Sequence, residues 1–130
     1  MRIFLVALSA LILVSACSAL AAPEPAPPVP AEVSAGVQRA TVHVENGMQF
    51  SPGSIAVQAG QPVELTLDNV GGMTHDFTLT EGVAEPVKLV AEGGQQGKAT
   101  FTIARPGTYA FTCDQAGHAM AGMRGTIVAR

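Results

Sequence analysis

Gly107-Thr-Tyr-Ala-Phe-Thr-Cys113-Asp-Gln-Ala-Gly-His118-Ala-Met-Ala-Gly-Met123-Arg-Gly-Thr-Ile-Val-Ala129 is the stretch that decides the fold of this 130-residue chain. It contains two β-rich segments joined by a loop, and the loop places a thiol, an imidazole and a thioether at intervals of five residues. Side chains alternate between the two faces of a strand, so Tyr109, Phe111 and Cys113 share one face. Because that face is the apolar one, Cys113 is predicted to point into the core.

The loop side chains Cys113, His118 and Met123 form a set of soft metal ligands. Thiolate and thioether groups select copper(I), zinc or iron-sulfur clusters, and imidazole suits copper well, so the three together indicate copper. A lone cysteine is also a common small hydrophobic residue in protein cores. A further ligand from elsewhere in the chain is therefore needed to distinguish a metal site from ordinary packing.

The chain on the N-terminal side of this stretch has the pattern of an all-β protein. Short runs rich in valine, threonine, isoleucine and phenylalanine alternate with glycine and proline at close intervals, which is typical of a sandwich or barrel. The predicted strands lie at 41–45, 54–58, 62–68, 74–80, 99–103, 107–113 and 125–129. The segment 85–92 is predicted to be a short turn or an irregular strand.

The further ligand is predicted on the strand 74–80. Alternation places His75 on the inward face with Phe77 and Leu79, at the strand terminus. Such an imidazole can also hydrogen-bond a backbone carbonyl and fill space, but two inward rows that both end in metal ligands favour a site. His43 lies between two inward-facing valines and is predicted to face solvent. Met48 and Met73 are interpreted as packing residues.

The N-terminal region is predicted to be separate from the folded domain. Residues 1–16 have one basic residue followed by an apolar run, which is typical of a secretory signal. Val14-Ser-Ala-Cys17 resembles a bacterial lipobox, which predicts lipidation of Cys17; the alternative is ordinary cleavage after Ala19-Leu-Ala21, which would remove that cysteine. Residues 17–35 are rich in proline and alanine and are predicted to be a spacer, and residues 36–130 form the domain.

Charge and cysteine content argue against nucleic-acid binding and indicate the state of Cys113. The net charge is −3 and no cluster of Lys or Arg appears, so we expect no nucleic-acid partner. Only two cysteines are present, and Cys17 belongs to the leader or the anchor, so Cys113 is expected to be an unpaired thiol in an exported protein. Metal ligation would protect that thiol from oxidation.

The C-terminal loop resembles the ligand loop of the cupredoxins, the blue-copper family that includes plastocyanin, azurin and auracyanin. Met48-Gln-Phe-Ser-Pro52, Ile55-Ala-Val-Gln-Ala-Gly60 and Thr74-His-Asp-Phe77 resemble earlier strands of the same family, and its loop spacing is similar to that of auracyanin and rusticyanin. The resemblance covers Ala40 to Arg130. It implies a Greek-key β-sandwich of about seven to eight strands and one type 1 copper ion.

The resemblance also implies the roles of the ligands. His75, Cys113 and His118 would surround copper in a plane, and Met123 would supply the weak axial contact, with Met120 as the alternative. The backbone N–H of Asp76 would donate to the cysteine sulfur and tune the redox potential.

Two departures from the family pattern are present in the sequence. Ala116 stands where the family often has proline, which would loosen the loop. Thr74 rather than glycine precedes His75, so an additional carbonyl contact to the metal is not implied.

The function expected from this resemblance is transfer of single electrons. The small uncharged residues around His118 predict a surface where redox proteins dock transiently, and we expect an exported, periplasmic monomer that meets the membrane only through a lipid on Cys17. Storage or delivery of copper is the alternative. A thiol enzyme with Cys113 as nucleophile is disfavoured, because no polar residue orients a base and the cysteine faces inward.

Overall fold

A computed structural model describes residues 24–130, and within them the chain forms ten β-strands and no α-helix. The strands are β1 (Val29–Pro30), β2 (Glu32–Ser34), β3 (Val37–Val44), β4 (Ser54–Val57), β5 (Pro62–Asn69), β6 (His75–Leu79), β7 (Val87–Ala91), β8 (Gln96–Thr102), β9 (Gly107–Thr112) and β10 (Arg124–Ala129). No helix in this range is long and apolar enough to cross a membrane.

Two sheets make up the domain. A six-stranded sheet has the order β1-β4-β10-β9-β6-β7, and a four-stranded sheet has the order β2-β3-β5-β8. The pairs β1–β4, β4–β10 and β3–β5 are parallel, and the other pairs are antiparallel. The predicted all-β architecture is confirmed, with more strands than the expected seven to eight.

The core lies between the two sheets and follows the alternation of their strands. Along β3, buried residues alternate with exposed ones, and along β5 they alternate with half-buried ones. From the larger sheet, the ring of Phe111 lies 4.6 Å from that of Phe77 and 5.0 Å from that of Phe50, centroid to centroid. Phe77 lies on β6 two residues after His75, and Phe111 lies on β9 two residues before Cys113, so both predicted ligands are next to rigid packing.

The second half of the predicted spacer is part of the fold, which corrects the boundary at residue 36. Val29 and Pro30 pair with β4 in one sheet, and Glu32–Ser34 pair with β3 in the other, so six residues cross from sheet to sheet. Proline is tolerated here because β1 is an edge strand, where one missing N–H costs little. The N–H of Ala31 still donates to the carbonyl of Ala56 at 2.9 Å.

The structure decides the prediction for the segment 85–92 but does not test those for the N-terminal signal. The segment 85–92 contains a regular edge strand, β7, which pairs with β6 along its full length, so the strand alternative is the correct one. The predicted signal at 1–16 and the lipidation of Cys17 lie outside the described residues and stay predictions.

Removal of the crossing segment should destabilise the domain. We expect a protein that begins at Gly36 to lose about 1–3 kcal/mol of unfolding free energy relative to one that begins at Glu24, because each lost hydrogen bond contributes about 1 kcal/mol net and the ordering of the segment offsets part of that gain. Urea unfolding of the two proteins measures the difference. Ala31→Pro, which removes the hydrogen bond from the Ala31 N–H to the carbonyl of Ala56 on β4, should give an intermediate loss. Equal stability of all three proteins would show that the segment contributes nothing.

Candidate metal centre

The predicted ligands meet at one end of the sandwich because of how β6 and β9 pair. These strands are antiparallel neighbours, with Thr78 opposite Thr112 and Leu79 opposite Phe111. The start of β6 therefore lies beside the end of β9, which brings His75 next to Cys113. The loop after Cys113 returns to β10 at the same end and carries His118 and Met123.

The donor atoms of His75, Cys113 and His118 form a compact cluster. All three residues are buried, and their donor atoms lie within 4.8 Å of one another. The sulfur of Cys113 lies 3.4 Å from Nδ1 of His118, and the two imidazole rings are 5.0 Å apart, centroid to centroid. His75 lies 38 positions before Cys113 in the sequence, yet the three donors converge on a volume suited to a single metal ion.

Met123 lies at the same end and is fixed by both loop ligands. Its side chain is fully buried. Its N–H donates to the carbonyl of His118 at 3.0 Å, and its carbonyl accepts the N–H of Cys113 at 3.2 Å. Met120 is 91% exposed, so the structure places the alternative thioether in solvent and favours Met123.

The loop reverses its course within a few residues so that Met123 can turn inward. The N–H of Ala121 donates to the carbonyl of Gly117 at 2.9 Å, and the N–H of Gly122 donates to that of Ala119 at 3.2 Å. Gly122 has φ of 96°, a conformation in which glycine avoids the steric cost that other residues pay. This turn presents Met120 outward and Met123 inward.

The residues of the cluster fit a metal ion and are poorly satisfied by the protein alone. Within residues 24–130, neither ring nitrogen of His75 has a hydrogen-bond partner, although the residue is completely buried. Buried polar groups are normally paired, because an unpaired one costs free energy. The backbone of Glu45 lies close to the ring but makes no hydrogen bond within the usual distance and angle limits, whereas a metal ion would satisfy one of the ring nitrogens.

Burial shifts the proton affinity of two cluster residues. It raises the pKa of the Cys113 thiol, and it lowers the pKa of His75, with the neighbouring His118 adding to the effect. Desolvation disfavours the charged form of each group, which explains both directions. Near neutral pH, both shifts favour the uncharged form, a thiol at Cys113 and a neutral imidazole at His75.

The predicted hydrogen bond to the cysteine sulfur is present. The N–H of Asp76 donates to Sγ of Cys113 at 3.3 Å. The side chain of Asp76 is also buried, at 1% exposure, although alternation puts it on the face of the strand opposite to the inward-facing His75 and Phe77. Asp114 and Gln115 of the ligand loop fold over it. Strand alternation gives no signal of such a cover.

Asn69 is a second supporting residue that the sequence did not reveal. Its Nδ2 donates to the carbonyls of Met73 at 2.6 Å and Ala91 at 2.8 Å, and its Oδ1 accepts the N–H of Gly71 at 3.1 Å. These bonds fix the loop that leads into His75.

The prediction that His43 faces solvent is confirmed. Its side chain is half exposed, and its Nδ1 lies 2.9 Å from Oδ2 of Asp68.

The two methionines interpreted as packing residues differ in exposure. Met48 is partly buried against the core, whereas Met73 is 39% exposed. Met73 therefore lies at the rim of the domain.

Comparison with known proteins identifies the same fold. A model of the cupredoxin-like domain matches residues 5–129. The copper-resistant cuproprotein CopI of Rubrivivax gelatinosus is 25% identical over 118 residues, which cover 78% of this chain and 72% of CopI. Auracyanin A, a blue copper protein of Chloroflexus aurantiacus, superposes with a TM-score of 0.65 and 20% identity over 73% of this chain and all of that protein.

The fold also occurs as part of a larger enzyme. The copper-containing nitrite reductase of Thermus scotoductus superposes with a TM-score of 0.60 and 21% identity over 72% of this chain but only 28% of the reductase chain. The family model spans nearly the whole chain, and the buried cluster supplies nitrogen and sulfur donors of the kind that copper prefers. The chain therefore belongs to the cupredoxin-like family, and its cofactor is copper.

Proposed function

We propose that this protein carries single electrons between redox partners, and that His75, Cys113, His118 and Met123 would hold the copper ion that supplies this chemistry. The observation that carries the proposal is the buried donor cluster, in which the donor atoms of His75, Cys113 and His118 lie within 4.8 Å of one another. When bound, copper supplies one-electron chemistry through its Cu(II) and Cu(I) states. The protein's part is to hold one ligand geometry that both states accept.

The placement of the ligands supports fast electron transfer. His75 and Cys113 lie at strand ends next to the packed aromatic rings, and hydrogen bonds fix Met123. Ligands held this firmly move little when the charge of the site changes, so little free energy is spent on rearrangement. Their burial also keeps water out of the site.

His118 is the ligand nearest to the surface. It is 8% exposed, whereas His75, Cys113 and Met123 are fully buried. Ala116, Gly117 and Met120 around it are exposed and uncharged. Weak redox complexes use small contact areas, so we propose that redox proteins dock transiently on this surface and that electrons pass through the His118 ring.

Copper storage or delivery is the second candidate, and similarity to CopI, a copper-resistant cuproprotein, favours it. An enzymatic role for the isolated domain is disfavoured, because Cys113 is buried and inaccessible to a substrate. For either function we propose export by the leader at 1–16 to the periplasm, with a lipid on Cys17 as the membrane anchor and a monomeric domain.

Retention of copper after reduction tests the function. We expect the copper-loaded protein to lose its visible colour with dithionite, to regain it on reoxidation, and to keep its copper throughout in the presence of a chromophoric Cu(I) chelator. The physical reason is that a fixed cluster of two imidazoles, a thiolate and a thioether binds Cu(I) tightly. Rapid loss of copper to the chelator after reduction would favour delivery and contradict electron transfer.

The axial assignment is tested by a matched pair of variants. Met123→Gln should lower the reduction potential and alter the absorption spectrum, because a hard oxygen donor favours Cu(II) over Cu(I). Met120→Gln should leave both nearly unchanged, since its side chain lies in solvent. Cys113→Ser serves as the control that abolishes the thiolate-to-copper band. Equal effects of the two glutamine variants would contradict the assignment of Met123.

Copper binding should depend on pH through the Cys113 thiol. Because its pKa is raised, the thiol keeps its proton near neutral pH and must release it to bind metal. His75, with its lowered pKa, adds no competing proton above about pH 6.5, the ordinary histidine value. Apparent Cu(I) affinity, measured by chelator competition, should therefore rise about tenfold per pH unit above that value. An affinity independent of pH would show that the thiol is ionised before copper binds.

A further inference from the structure

The carboxylate of Asp76 is buried on the outer side of the larger sheet, directly beneath the ligand loop. Its Oδ1 accepts the N–H of Asp114 at 2.6 Å and the hydroxyl of Thr78 at 3.4 Å. Its Oδ2 accepts the side-chain amide of Gln115 at 3.0 Å and lies 3.9 Å from Nζ of Lys88. Both oxygens of this buried carboxylate therefore have hydrogen-bond partners, as is usual for a buried polar group that belongs to the native structure.

Asp76 contacts both Cys113 and the residue that follows it. Its own N–H donates to the cysteine sulfur, and its carboxylate binds the N–H of the next residue, Asp114. A movement of Cys113 along the loop would break both bonds together. Groups that orient a metal ligand in this way control the geometry of the site.

The charges around Asp76 do not balance. Lys88 is half exposed and is shared between Asp76 and Asp114, whose Oδ2 lies 3.3 Å from its Nζ. Two carboxylates and one ammonium leave an excess of one negative charge on this side of Cys113. The buried carboxylate is poorly screened by water, so its field acts strongly on neighbouring groups.

We propose that Asp76 is a charged positioning residue that clamps the ligand loop onto β6 and lowers the reduction potential, with Lys88 partly offsetting its charge. The inference rests on the proposed ligation of copper by Cys113 and the two histidines. A negative charge beside the site stabilises Cu(II), the more positive state, relative to Cu(I). The clamp and the charge are separate effects of one side chain, and substitutions can separate them.

Asp76→Asn and Asp76→Ala distinguish the clamp from the charge. In Asp76→Asn, the remaining oxygen still accepts the Asp114 N–H and the Gln115 amide can turn to accept the new N–H₂ group, so only the charge is lost. We expect a raised reduction potential with an unchanged visible spectrum. In Asp76→Ala both effects are lost, so the potential should rise and the spectrum should also change.

Hydrogen exchange on the copper-free protein provides a readout that does not depend on the metal. The amide of Asp114 should exchange at the wild-type rate in Asp76→Asn and at least tenfold faster in Asp76→Ala, because only alanine removes its acceptor. Thermal unfolding of each variant checks that the fold is retained. If Asp76→Ala does not fold, the clamp is tested by Gln115→Ala, which should speed exchange at Asp114 by a smaller factor.

Lys88→Met provides the opposite change of charge. It should lower the reduction potential, whereas Lys98→Met, at an exposed position on β8 of the other sheet, should have a much smaller effect. An unchanged potential in Asp76→Asn would overturn the role of the charge, and unchanged exchange in Asp76→Ala would overturn the clamp. Loss of copper on reduction of the wild-type protein would contradict electron transfer while leaving the exchange result intact.

Discussion

The antiparallel pairing of β6 with β9 is the constraint on which the rest of the site depends. Only Thr78–Thr112 and Leu79–Phe111 define its register, yet this register puts the N–H of Asp76 within reach of the Cys113 sulfur. A slip by one residue would turn one strand over relative to the core. His75 and Cys113 would then face opposite sides of the sheet. The apolar Phe77 and Phe111, which must both point inward, prevent that slip.

The same packing makes the metal-free site unfavourable. The core holds His75 where its ring nitrogens have no partner within the described residues, and it keeps the Cys113 thiol away from water. An imidazole buried without a hydrogen-bond partner costs free energy that the aromatic and aliphatic packing beneath it must offset. Functional sites commonly violate the rules of good packing in this way. A metal ion relieves the cost, so copper is expected to stabilise the fold as it completes the site.

Strand alternation was enough to predict the inward-facing members of the site. It placed His75 and Cys113 in the core and His43 in solvent, because each residue's face follows directly from the pleat. It failed for Asp76, since alternation indicates the face of a sheet but not whether a loop covers that face. Asn69 gave no signal either, because its role depends on carbonyls that only the folded chain brings near.

The proline- and alanine-rich composition of residues 17–35 gave a wrong prediction for the N-terminal boundary of the domain. A run of prolines and alanines is typical of a spacer, but pairing at the edge of a sheet needs few N–H donors, so residues 29–34 could join both sheets. The loop resemblance left Met123 and Met120 as alternatives. Exposure now favours Met123, and it depends on the turn ending at Gly122, which spacing alone does not reveal.

The ligand loop is fixed at its two ends and exposed in its middle, and this distribution separates the two candidate functions. Asp76 holds its start, and the hydrogen bond between Cys113 and Met123 closes its end. The middle of the loop, at 116–117 and 120–122 on either side of His118, is exposed. An electron can leave through that segment with no ligand displaced, whereas a copper ion can leave only if one of the two ends opens. The proposed electron transfer would therefore need no change in the ligand loop, whereas delivery of copper would need the ligands to move apart.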